Sequence, residues 1–139
     1  MRYDPKLIEE LCREIGLTAR MASDHCVEIE LGQGAVLCFQ NADDERDCLI
    51  GLRGIPWHAH GNIGFAAHGN HVELDYLDLV LGLKEGRVLL SVLRADGRVD
   101  QWLIHSKYND EFQYLGEGEQ IVVRRATASP PSETSAIVG

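Results

Sequence analysis

CVEIELGQGAVLCFQ, residues 26–40, decides the fold class. Val27, Ile29 and Leu31 alternate with Glu28 and Glu30, the period-two pattern of a strand with one dry face and one wet face. Gly32, Gln33 and Gly34 then supply a tight turn, and Ala35–Gln40 returns antiparallel as the second arm of a hairpin.

Working outward, Asn41–Asp47 is a polar loop with four acids, and CLIGLRG, 48–54, is apolar enough for a third strand. RVLLSVLR, 87–94, and RVDQWLIHS, 98–106, flank Ala95, Asp96 and Gly97, where Asp-Gly between two β-type runs signals another hairpin. IVVRRA, 121–126, reads as a last strand. Two helices complete the pattern. Asp4 and Pro5 open the first, whose Leu7, Ile8, Leu11, Cys12 and Ile15 recur at helical spacing up to Gly16. Residues 71–74 form a short strand, followed by a helix over 76–84 with Asp75 as its cap and Gly86 beyond its end. Strands outnumber helices and are joined by hairpins. The expected architecture is therefore α+β, an antiparallel twisted sheet of five or six strands with two helices packed on one face. Residues 1–126 form a single domain, and 127–139, small, polar and proline-bearing, a disordered tail.

The chain of 139 residues carries 13 basic and 22 acidic side chains, a formal net charge of −9. That balance repels phosphate backbones and attracts basic proteins, so nucleic acid is disfavoured as a partner and a basic protein favoured. No apolar run approaches the roughly 20 residues that span a bilayer, and the start lacks a signal-peptide core. A cytoplasmic protein without membrane contact is expected. Cys12, Cys26, Cys38 and Cys48 show no CxxC pair, so they read as free thiols packed as small hydrophobes.

IPWHAHGNIGFAAHGNH, 55–71, gathers four histidines, a tryptophan and three glycines. As an extended segment it places His58 and His60 on one side, while His68 and His71 would share a helical face, and these four are the candidate metal ligands. The His58-x-His60 pair is similar to the start of the cupin metal motif, but Gly64 and Phe65 stand where that motif needs a glutamate. JAMM-type peptidases also carry HxH followed by a proline, where this chain has Gly61. Nothing carries over from either. Ser91 and Ser106 lie outside any nucleophile elbow, so no hydrolytic triad is legible, and no cofactor is expected.

The favoured reading is an ordered recognition loop of about 16 residues, with Trp57 as aromatic anchor. Asp43, Asp44, Glu45 and Asp47 precede it in sequence and Glu73, Asp75 and Asp78 follow it. With Trp57, His58 and His60 they make up the candidate partner-binding set. The implied protein is a small acidic binding module, of the kind in which an inhibitor or immunity protein occludes a basic toxin domain or enzyme. The alternative is a His-ligated metal-dependent hydrolase or oxygenase built on residues 58–71.

Overall fold

The computed structural model describes residues 2–42, 47–95, 97–109, 116–126 and 136–138, with the side chains of Arg98 and 136–138 left aside. Helix α1, Pro5–Ile15, starts where Asp4 accepts a hydrogen bond from the Leu7 amide at 3.1 Å. It ends at Gly16, whose φ of 86° is the left-handed conformation that favours glycine, and the Leu17 amide folds back to the Cys12 carbonyl at 2.8 Å. Ile8 and Cys12 form its buried stripe. Helix α2, Tyr76–Glu85, repeats the design with Asp75 as cap and Gly86 at its end.

Strands β1 (Ala19–Ser23), β2 (Cys26–Gly32), β3 (Ala35–Asn41), β4 (Cys48–Leu52) and β5 (His58–His60) pair antiparallel in sequence order. The 26–40 hairpin is present, turned by Gln33 and Gly34, both at positive φ. β6 (Ile63–Ala67) and β7 (Asn70–Leu74) form a separate two-stranded ladder. A second sheet has the order β11 (Ala136–Val138), β10 (Gln120–Arg124), β8 (Val88–Ala95), β9 (Arg98–His105). The expected 87–106 hairpin is β8–β9, with Ala95 opposite Arg98. Of the expected tail, 127–135 and 139 lie outside the described residues, and Ala136–Val138 pair with β10.

The protein is thus α+β with antiparallel pairing and, among the described residues, two helices, but the single sheet of five or six strands is corrected to three sheets. β5 is only three residues long, and Gly61, at φ 73°, turns the chain before β6 can continue the first sheet. Nor do both helices lie on one sheet face: α1 packs on β1 and β2, α2 on β7 and β8, and the helices pack on each other. The main core runs from Val27, Ile29, Leu37, Phe39 and Ile50 of the first sheet to Leu79 and Leu83 of α2 and Val88, Leu90 and Leu103 of the second sheet. A second, smaller cluster of Ile104, Ile121 and Val123, with Leu89, Leu93 and Trp102 packed against it, belongs to the second sheet alone. At Gly82 the approach is so close that a Cβ would sit 2.8 Å from the Val88 Cγ2, so α2 needs glycine there. Among the described residues, no helix is long and apolar enough to cross a membrane.

Candidate docking site

The 55–71 segment is a correction in kind. Instead of one long loop it builds β5, β6 and the start of β7, with a two-residue turn at His68 and Gly69, both at positive φ. Its alternation is real, since Ile63, Phe65 and Ala67 are buried while Gly64 and Ala66 face out, but its outward residues are small rather than polar. His68 and His71 consequently share no helical face. His68 sits in the turn, and His71 lies on β7 with its Nε2 2.7 Å from where a Cβ of Gly64 would be.

β5 is an edge strand of the first sheet and β9 an edge strand of the second. Between them lies an open cleft of about 320 Å³, lined by Trp57, His58 and Ala59 on one side, Ile63–Ala66 of β6, and Trp102 and Leu103 on the other. Both tryptophans are half-buried. The Trp102 indole Nε1 is buried without a hydrogen-bond partner. Trp57 and His58 also border a shallow, mainly apolar dish of about 250 Å³ on the outer face of the first sheet, with Cys38, Leu49, Gly51, Ile55 and Pro56. Residues 57–58 are therefore a wall shared by two depressions.

The other proposed site residues are placed as follows. His60 is exposed, and its Nδ1 lies 2.9 Å from Asp47 Oδ1, an interaction that holds the Asp47 carboxyl below its ordinary range. Glu73 is exposed on β7 opposite Gly64. Asp75 accepts from the Asp78 amide at 2.8 Å, and Asp78 lies in the first turn of α2, so both serve the helix N-terminus. Asp43, Asp44 and Glu45 lie outside the described residues. The structure brings Trp57 and His58 to the cleft and places the His60–Asp47 pair on the same short strand's flank. Among the described residues, no group of three or more His, Cys, Asp or Glu side chains is arranged to hold a metal ion.

Trp102 alternates with Leu103 along β9, and no local signal in the sequence says which face of the sheet it takes. The cysteines are free thiols, with Cys12 and Cys48 buried and Cys26 and Cys38 half-buried. Burial pushes the Cys12 thiol up to about 12 and the Cys38 thiol up to about 11, which keeps both protonated and unreactive at neutral pH.

Two further titratable groups are buried and tied to the fold. Glu28 is 9% exposed on the outer face of β2, with Arg20 at 2.7 Å and Arg53 at 3.3 Å. Burial raises its carboxyl, but the two guanidinium groups outweigh burial and hold it below its ordinary 4.5. His105, 7% exposed, accepts the Lys107 amide at 3.0 Å on Nδ1, and burial, then Arg87 and Lys107, hold it below its ordinary 6.5. Both shifts have one sign: in each window the unfolded chain binds a proton that the folded chain refuses. Stability is therefore expected to fall in two steps on acidification, first below about 6.5 through His105 and again below about 4.5 through Glu28. Urea titrations at a series of pH values would show this, and His105→Gln should flatten the upper step alone. A profile flat from pH 7.5 down to 5 would count against the His105 assignment.

Compared with known family models, curated proteins and solved structures, the chain finds no match.

Proposed function

We propose that this chain is a small acidic, non-catalytic binding module of the cytoplasm that docks a basic protein through the β5–β9 cleft. Its action is that of an inhibitor or immunity protein covering the cationic active site of a toxin domain such as a nuclease. One observation carries the reading. Trp57 and Trp102, 45 positions apart in the sequence, flank the same open cleft from the edges of two different sheets. Tryptophan is enriched among the residues that dominate interface energetics, because it offers a large rigid apolar surface with one polar handle. The net charge of −9 supplies the long-range attraction that speeds encounter with a positive cleft.

The test is calorimetric binding to the product of the adjacent gene, at low and high salt. Trp57→Ala and Trp102→Ala are each expected to weaken binding by about 30-fold, corresponding to roughly 2 kcal/mol. Affinity should also fall steeply with added salt. A salt-independent affinity would remove the electrostatic part of the reading, and wild-type affinity in both tryptophan variants would remove the cleft.

A further inference from the structure

We propose that His58 and His60 form a two-histidine site on β5 for a borderline divalent transition ion such as Zn²⁺ or Ni²⁺. Alternate residues on a strand project to the same side, so the HAH sequence of β5 puts both rings over one patch. Their centroids are 5.2 Å apart with the ring planes at 79°. That separation suits a shared ion. With metal–nitrogen bonds of about 2.1 Å, each ring centroid stands about 3.2 Å from the ion, and two ligands at a tetrahedral angle then lie about 5.2 Å apart.

The hydrogen bonding points the same way. The Nδ1 of His58 is 2.8 Å from the Pro56 carbonyl, which can only accept, so in the neutral ring this nitrogen carries the proton and Nε2 keeps its lone pair. The Nδ1 of His60 is 2.9 Å from the Asp47 carboxylate, with the same consequence. A ligating imidazole whose other nitrogen donates to a carbonyl or carboxylate is the usual outer-shell arrangement of histidine metal sites, fixing tautomer and ring orientation. Asp47 is itself held by the Cys48 amide at 2.9 Å. Gly51 stands opposite His58 on β4, so no side chain crowds that ring from across the ladder. Both histidines are exposed, and water fills the remaining coordination positions.

The site needs two protein ligands and is separate from the four-histidine arrangement, since His68 and His71 belong to the β6–β7 hairpin. It also stands apart from the docking reading, because its test uses no protein partner. Zinc chloride is titrated calorimetrically into the full chain purified without an affinity tag, with imidazole ¹⁵N shifts followed in parallel. One equivalent is expected to bind, moving the Nε2 resonances of two histidines. His58→Ala and His60→Ala should each lower affinity at least tenfold, and Asp47→Asn about tenfold by releasing the His60 ring. His68→Ala and His71→Ala should leave the affinity as it was. Far-UV circular dichroism checks that every variant is folded. Absence of binding at millimolar zinc would overturn the proposal, as would unchanged affinity in the His58→Ala and His60→Ala proteins.

Discussion

Tyr3→Ala is expected to lower the unfolding free energy by about 4 kcal/mol, within the range for truncating a buried aromatic side chain. Tyr3 is only 4% exposed. Its ring meets Phe39 edge-on at 5.4 Å and Tyr76 at 5.1 Å, so it joins the first sheet to the start of α2. Its hydroxyl donates to the Gly61 carbonyl at 2.6 Å, pinning the bend between β5 and β6. The backbone is held as well. Asn41 accepts the Tyr3 amide at 2.8 Å and donates to its carbonyl at 2.9 Å, which ties the N-terminal segment to the end of β3. Tyr3→Phe separates the contributions. It keeps the packing and orphans the Gly61 carbonyl, for an expected loss of about 1 kcal/mol. Urea unfolding measures both, and a loss below about 1 kcal/mol for Tyr3→Ala would contradict this account.

Arg124→Ala is expected to cost about 3 kcal/mol, and on the order of 10 °C in melting temperature for a chain of this size. Arg124 lies on β10 of the second sheet and is 6% exposed. Its guanidinium donates to the Leu31 and Gly32 carbonyls at the end of β2. Those carbonyls are accessible because the β2–β3 register shifts between Glu30 and Gly32, taking Leu31 out of the regular ladder. One planar cation thereby fastens the second sheet to the first hairpin, and its loss leaves buried acceptors unpaired. Arg124→Lys keeps the charge but lacks the fork that reaches two carbonyls together, so it should recover only part of the loss. Full recovery by lysine would show that charge alone matters here.

The local pattern was a good guide wherever apolar side chains and turn residues spoke together. Both helix caps, the 26–40 hairpin and the β8–β9 hairpin were legible, since each has an alternating or helical run with its breaker in place. Residues 19–23, ARMAS, were not. Their alternation is only Ala19 and Met21 half-buried about an exposed Arg20, too short to mark a strand by itself, and their strand character comes from pairing with β2. Residues 63–67 hid for a related reason, because glycine and alanine occupy the outward positions where polar residues would mark a strand. The division into sheets lay beyond local reading, as it depends on which distant strands share an edge. The candidate site divides similarly. Trp57 and His58 stood out as an unusual cluster, but that Trp102 would border the same cleft is a fact of tertiary structure. Nor does anything in the Arg124–Arg125 pair say that the first arginine is buried and the second exposed.

The chain contains two tryptophans, and both border the β5–β9 cleft. Excited at the red edge, where tyrosine scarcely absorbs, its intrinsic emission therefore originates from this one place. A shift in wavelength or intensity on mixing with another molecule reports an event at or beside those indoles, with no dye or label attached.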